Sequence, residues 1–378
     1  MTATENPAGF PLSPGSKIGI VGGGQLGQMI ALSAREMGFQ VGVLDPDPHC
    51  PTAPIADKHV VASYDDSAAL DELAGWADVL TYEFENVDAD ALDSVAHLVP
   101  IPQGTKLLRT SQDRRAEKEF FTSIGVPVAR WEKVEGGADL EQAVSHIGYP
   151  CVLKSARGGY DGKGQVVLRS PADLPEAEAL ADRQPCVLEE LVEFESEISA
   201  IVSGGSGSFV VFPLVQNEHR SGILHQSVMP APVADATAKA ATDIARKIAT
   251  ELDLAGTLAI EMFVCKEGGV LVNEMAPRPH NSGHATIEAC DFSQFDLHVR
   301  GICGWPLPQP RLLEPAVMVN VLGEHLEGAT RFALDDPQWH FHLYGKQEVR
   351  DGRKTGHLTA LGAPDARISQ TEGSGVWS

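Results

Sequence analysis

The sequence predicts a mixed architecture, α/β at its N-terminal end and α+β beyond it. Three observations carry the prediction. Over residues 17–105 short apolar runs alternate with helical patterns, the signature of a parallel sheet flanked by helices. From residue 187 onward the pattern turns to strands separated by glycine-bearing turns. The chain of 378 residues is 43% hydrophobic and 21% charged, which suits a globular protein of more than one domain.

Each element follows in order. Residues 17–21 (KIGIV) read as a strand, followed by a glycine loop and an apolar spacing of helical period to about residue 37. Strands at 41–45, 59–62, 78–84 and 99–102 alternate with helices at 68–76 and 89–97, closing an α/β domain over 17–105. The charged stretch 110–124 (TSQDRRAEKEFFTSI) predicts one amphipathic helix with a Ser/Asp start. A turn into a strand at 125–131, a helix at 140–147, a strand at 150–154, a glycine-rich loop at 158–164 and a strand at 165–169 complete a small lobe over 106–184. Strands at 187–192, 197–202 and 208–214, the last two joined by GGSG as a hairpin turn, open a larger region over 185–367. It continues with a helix at 235–252, strands at 258–264 and 270–275 joined by KEGG, and helices at 285–289 and 295–302. A strand at 317–322 and a strand pair around 339–344 and 357–360 end it. Residues 1–16, which lack a signal-peptide pattern, and 368–378 are expected as loose tails.

Lys and Arg number 29 against 52 Asp and Glu, a net charge of −23. That balance excludes nucleic acid and an anionic membrane as main partners, since both need a basic footprint. No apolar run approaches the roughly 20 residues of a membrane span. The six cysteines include no CxxC spacing and sit among apolar residues, so buried reduced thiols of a cytoplasmic protein are expected.

Several motifs carry chemistry. Gly22-Gly23-Gly24-Gln25-Leu26-Gly27 fits GxGxxG between a strand and a helix, and Asp45 ends the next strand. This leaves three readings open: a dinucleotide, another anionic ligand, or packing alone. Lys154 ends a strand before a loop containing Gly158, Gly159, Tyr160, Asp161, Gly162, Lys163 and Gly164, then Gln165. Strand, lysine, glycine loop and strand suit a flap that covers phosphates, since the lysine supplies charge and the glycines close N–H approach. Glu189, Glu190, Leu191 and Val192, with Glu197, suit a nucleotide base edge and its ribose hydroxyls, or a solvated acidic edge. Glu261 and Glu274 lie on strands joined by a short turn, so antiparallel pairing brings them together. Two buried carboxylates repel unless a cation intervenes, which points to Mg²⁺ beside Asn273. The loop with Arg278, His280 and Asn281 suits an oxyanion. Lys346, Arg350, Arg353, Lys354 and His357 form a basic cluster, a local anion site or a solvated surface.

As a set these residues resemble the ATP-grasp enzymes, and most closely the 5-(carboxyamino)imidazole ribonucleotide synthase family of purine biosynthesis. The motifs are GGGQLG at 22–27, YEFENV at 82–87, Lys154 with GGYDGKG at 158–164, Glu189 with Glu197, NEHR at 217–220, IEMFV at 260–264, NEMAPRPHNSGH at 273–284, and YGK at 344–346 with GRKTGH at 352–357. They run from about residue 17 to 365 in family order. The N-terminal tail is extra, and Thr355 stands where methionine is expected.

The resemblance implies an ATP-grasp fold with a Rossmann-like pre-ATP-grasp domain at its N-terminus, and an ATP-grasp ligase that forms a carbon–nitrogen bond. It implies ATP and Mg²⁺ (Mn²⁺ as a substitute) and the carboxylation of 5-aminoimidazole ribonucleotide by bicarbonate through carboxyphosphate. The expected protein is a cytoplasmic homodimer acting on small molecules. Arg114, Lys154, Gly159–Gln165, Glu189–Val192, Glu197, His219, Asn273 and Glu274 are expected to hold the nucleotide, and Glu261 with Glu274 the metal. Arg278, His280 and Asn281 would orient bicarbonate, while Tyr160 and Asp161 meet the aminoimidazole. Gln25, Leu26, Glu83, Lys346, Arg353 and Lys354 would surround the ribose phosphate, which displaces the dinucleotide reading of the glycine loop. The rivals are a biotin carboxylase-like enzyme, a formate-dependent glycinamide ribonucleotide transformylase, a dehydrogenase and a non-catalytic nucleotide-binding regulator.

Overall fold

The structure is a computed structural model that describes residues 9–159 and 164–377. Its N-terminal sheet is parallel, in the order Lys58–Val60, Gln40–Leu44, Lys17–Val21, Val79–Tyr82. Ile18, Ile20, Val41 and Val79 are buried because helices cover both faces, as parallel sheets require. The strand expected at 99–102 does not form. Leu80 N donates to Pro100 O at 2.9 Å, but Pro100 and Pro102 offer no N–H for a ladder. The expected N-terminal tail is also corrected over its described part. Leu12 is buried against Cys303, Leu12 N donates to Cys303 O at 3.0 Å, and Trp305 Nε1 donates to Leu12 O at 2.6 Å.

The helix expected over 110–124 is two helices, Thr105–Gln112 and Arg114–Ser123. Asp113 breaks them, because its extended backbone (φ −129°) lets its carboxylate cap the second by accepting from Arg115 N at 3.0 Å. Phe121 anchors that second helix on the core of the largest sheet.

The small lobe is a four-stranded antiparallel sheet, ordered Trp131–Val134, Cys186–Glu190, Cys151–Ser155, Gln165–Leu168. Helices Gly137–Ile147 and Leu174–Ala181 cover it, burying Leu140, Leu180, Leu153 and Leu188 together. The strand Cys186–Glu190 therefore belongs to this sheet, so the lobe extends past the boundary expected at residue 184.

The largest sheet has nine strands. Its central members are Gly256–Cys265, Phe194–Gly205, Val215–Arg220, Ile223–Met229 and Ala316–Leu322, with Val270–Ala276 at one edge. Strands Val215–Arg220 and Ile223–Met229 were not expected, because NEHR and HQS interrupt their apolar alternation. The two-residue turn between them, Ser221 (φ 51°) and Gly222 (φ 81°), has the positive φ pair that hairpins favour. Helix Gln294–Ile302 lies hard against this sheet, and a Cβ on Gly301 would collide with the Gly204 carbonyl. The expected C-terminal tail is helical from Pro364 to Gly373. Beyond it Trp377 is buried with Val319 and Trp339, and its Nε1 donates to Asn320 O at 2.9 Å. Among the described residues no helix is long and apolar enough to cross a membrane.

Candidate active site

One cavity of about 750 Å³ opens between the small-lobe sheet and the largest sheet, with the glycine loop of the N-terminal unit at one end. At its centre Glu261 and Glu274 stand directly opposite each other in antiparallel register. Arg114, in the first turn of helix Arg114–Ser123, places Nη1 2.5 Å from Glu274 Oε2. Burial works against the Glu274 charge, but Arg114 outweighs it and holds this carboxyl below the usual range. For Glu261, burial and then the Glu274 charge push the pKa up, against the opposing pull of His219 and Lys354. His280 Nε2 lies 3.4 Å from Glu261 Oε1. Such a pair, one charged and one pressed towards protonation, suits a divalent cation with oxygen ligands. Among the described residues no three His, Cys, Asp or Glu side chains cluster as a metal site, so further ligands would have to be phosphate or water.

Helix Arg114–Ser123 grips the strand carrying Glu274 at three successive residues. Besides Arg114, Glu117 Oε1 accepts from Met275 N at 2.7 Å and Lys118 Nζ donates to Asn273 O at 3.0 Å. Burial, then the nearby Glu274 charge, raises the Glu117 pKa to about 8. Lys118 is wholly buried, and its Nζ also lies 3.1 Å from Glu189 Oε2 in the small lobe. Lys154 Nζ reaches the same oxygen at 3.2 Å and Asn273 Oδ1 at 3.4 Å. Burial opposes the Glu189 charge, but Lys154 and Lys118 bring its pKa down to about 2. Glu117 and Lys118 were missed because the helix reads as a charged surface helix. The signal was present: Arg114, Glu117, Lys118 and Phe121 share one face at i, i+3, i+4 and i+7, so charges sit on the apolar stripe.

Gly159, Gly164, Gln165, Glu189, Glu190, Leu191, Val192, Glu197 and His219 all line the cavity. His219 Nδ1 lies 2.7 Å from Glu197 Oε2, a charge contact without the alignment of a hydrogen bond. Burial disfavours the imidazolium, yet Glu197 outweighs it and raises the His219 pKa. Phe194 and Phe263, stacked with centroids 4.6 Å apart, add an apolar wall that the motifs did not reveal. Tyr160, Asp161, Gly162 and Lys163 lie outside the described residues.

The glycine loop is occupied by the protein's own acids. Gly24 N and Gly27 N donate to Glu83 at 2.5 and 2.6 Å, and Gly23 N donates to Asp45 at 2.7 Å. The amides of Gly23, Gly24 and Gly27 are therefore taken in this structure, and Asp45 does not line the cavity. Gln25, Leu26 and Glu83 do line it. Lys354 joins them, whereas Lys346 and Arg353 stand just outside the lining. Lys346 Nζ donates to Lys354 O at 2.8 Å, and burial, then Arg353, lowers its pKa to about 8. Arg353 pairs with Glu348 at 2.8 Å. Arg350 is exposed, and His357 is buried against Tyr344, so neither reaches the cavity.

Arg278, His280 and Asn281 face the carboxylate pair from the loop after Val270–Ala276. Gln294 clamps this loop at His280, accepting from His280 N at 2.9 Å and donating to His280 O at 2.7 Å. Burial, then Arg278, lowers the His280 pKa to about 3, so the ring is neutral at pH 7. Asn281 and Asn320 exchange hydrogen bonds at 3.0 and 2.7 Å, which leaves one N–H and one lone pair of the cavity-lining Asn281 amide for a ligand. The same pair of bonds holds the loop to the strand Ala316–Leu322.

The comparisons with known proteins agree with this geometry. Residues 16–112 match a ribonucleotide synthetase preATP-grasp domain, 119–295 an ATP-grasp domain, and 316–371 a phosphoribosylaminoimidazole carboxylase C-terminal domain. The N5-carboxyaminoimidazole ribonucleotide synthase of Bacillus subtilis (strain 168) is 44% identical over 357 residues, 93% of each chain. A crystal structure of an N5-carboxyaminoimidazole ribonucleotide synthetase as its ADP complex superposes with a TM-score of 0.95 at 46% identity, covering 97% of this chain and 98% of that one. The Aspergillus clavatus synthase in complex with ADP and 5-aminoimidazole ribonucleotide gives a TM-score of 0.90 at 33% identity, over 96% and 99%.

Proposed function

The chain belongs to the N5-carboxyaminoimidazole ribonucleotide synthase family of ATP-grasp ligases, and we propose that its cavity activates bicarbonate with ATP to carboxylate 5-aminoimidazole ribonucleotide. The observation that carries this reading is the acidic pair Glu261 and Glu274 facing the Arg278–His280 loop across one cavity, with Lys154 and Arg114 alongside.

Bicarbonate is a poor electrophile. Transfer of the γ-phosphoryl of ATP to one of its oxygens gives ADP and carboxyphosphate, which breaks down to CO₂ and phosphate. The exocyclic amine of the ribonucleotide then attacks the CO₂ carbon and loses a proton. In phosphoryl transfer the protein contributes mainly positioning and charge neutralisation. Lys154 and Arg114 neutralise the phosphate chain; burial lowers the Lys154 pKa, and the Glu189 charge opposes that shift. His219 and Glu197 take the nucleoside end, with Phe194 and Phe263 beside it. Glu261 and Glu274 would hold Mg²⁺, which supplies charge stabilisation at the β and γ oxygens.

Arg278 meets the bicarbonate and phosphate oxygens, and neutral His280 acts as a hydrogen-bond partner and not as a cation. Glu83, held rigid by the loop amides, accepts ribose hydroxyls, and Lys354, Lys346 and Arg353 meet the ribose phosphate. Tyr160 and Asp161 are assigned to the aminoimidazole, with Asp161 as its proton acceptor. Gly159, Gly164 and Gln165 on the cavity wall cover the nucleotide and help exclude the water that would hydrolyse carboxyphosphate.

The test is coupled detection of ADP release. Release should require ATP, bicarbonate, the aminoimidazole ribonucleotide and Mg²⁺ together. Release driven by biotin or glycinamide ribonucleotide instead would overturn the assignment. The same assay carries a pH prediction. Lys346 is protonated below about pH 8 and loses its charge above it, so the KM for the ribonucleotide should climb as pH rises through 8. A KM flat from pH 7 to 9 would remove Lys346 from the phosphate site.

A further inference from the structure

Arg278 does not face the cavity with all its donors available. Its Nε donates to Glu85 Oε2 at 2.9 Å and its Nη2 to Glu85 Oε1 at 2.5 Å. Its Nη1 donates to Pro279 O at 3.1 Å. A guanidinium carries five N–H groups, so one remains on each terminal nitrogen. Glu85 lies just past the strand Val79–Tyr82 in the N-terminal unit, whereas Arg278 follows Val270–Ala276 in the largest sheet, and both line the cavity. Glu85 is itself fixed from behind, since Gln112 Nε2 donates to both Glu85 O and Val87 O at 2.6 Å.

We propose that Glu85 is the positioning residue for Arg278: its carboxylate holds the Nε edge of the guanidinium so that the two remaining terminal N–H groups meet the oxygens of bicarbonate and of the leaving phosphate. The inference rests on the reading of Arg278 given above. Two physical arguments support it. A bidentate carboxylate fixes the plane of a guanidinium, which a single hydrogen bond does not. A cation taken out of water without a partner is costly, and Glu85 supplies that partner while the cavity holds no anion. Glu85 keeps its side of the pair when bicarbonate enters, so the two remaining N–H groups stay aimed at the anion. Orientation is what an in-line attack on the γ-phosphoryl needs.

The test compares Glu85→Gln, Glu85→Asp and Arg278→Lys with the unaltered protein. Glu85→Gln preserves volume but loses the charge and the two-oxygen clamp. Its KM for bicarbonate should rise about tenfold while that for ATP stays within about twofold, because only the anion's orientation is disturbed. ADP released per carboxylated product should also rise, since misplaced carboxyphosphate is lost to water. Glu85→Asp keeps the charge at shorter reach and should lie between the two. Should Glu85→Gln fail to fold, as judged by its thermal melt, Glu85→Asp is read alone against the unaltered protein. A bicarbonate KM and product ratio equal to the unaltered protein's, with only the melting temperature lowered, would make Glu85 a structural pin and overturn the inference. Arg278→Lys separates the two levels. If it raises the bicarbonate KM while the Glu85 variants do not, the positioning role fails and the reading of the site stands. If it leaves that KM unchanged, the role assigned to Arg278 fails first.

Discussion

Glu274→Gln should lower ADP release by about 10³-fold, the scale on which single charge-stabilising groups act in a dry site, while the protein still folds. Gln fills the same volume and keeps an acceptor for Arg114, so the packing between helix Arg114–Ser123 and the strand Val270–Ala276 survives. What disappears is one of two opposed carboxylates, and with it the pair on which the proposed cation depends. Loss of the Glu274 charge also relieves one cause of the raised Glu261 pKa, leaving burial and the Glu197 charge. A thermal melt within a few degrees of the unaltered protein, together with the lost turnover, would locate the effect in the site. Near-normal turnover would remove Glu274 from the chemistry.

Lys118→Met should be the most damaging substitution at a residue that does not line the cavity. Lys118 bonds the small lobe at Glu189 and the largest sheet at Asn273, and no water reaches it. Methionine fills the space but leaves the Asn273 carbonyl without its donor and Glu189 with one lysine in place of two. Removing one partner of a buried ion pair costs about 3–5 kcal/mol, and retention of Lys154 puts this case near the lower end. The KM for ATP should rise as well, because Lys154 is then the one lysine left on Glu189 and has less positive field to offer phosphate. Chemical denaturation and a nucleotide titration check the two effects. A variant of unchanged stability and unchanged ATP KM would contradict the role given to Lys118.

These two residues also mark what the sequence could and could not say. Glu261 and Glu274 were legible because strand alternation and a short KEGG turn leave few registers, and the observed one places them opposite. The lysine before a glycine loop was legible for the same local reason. Lys118 was not read, since a charged helix is a surface helix unless its charges fall on the apolar stripe. Pairings across long stretches of chain were beyond local reading. Glu85 meets Arg278 across 193 positions, and Asn281 meets Asn320 across 39. GxGxxG announces a helix N-terminus with free amides, but it cannot say that Glu83 and Asp45 will take them. The strands Val215–Arg220 and Ile223–Met229 escaped because polar residues, the cavity-lining His219 among them, break their alternation. Function and strand-like patterning competed there, and function won.

The central claim is that ATP activates bicarbonate itself in the cavity between the two sheets. Turnover with bicarbonate labelled by ¹⁸O, followed by mass analysis of the released phosphate before label exchanges with water, tests it most directly. A bicarbonate oxygen that attacks the γ-phosphorus stays with phosphorus when carboxyphosphate breaks down, so a labelled oxygen should appear in the phosphate at each turnover. Unlabelled phosphate alongside a carboxylated product would contradict the account.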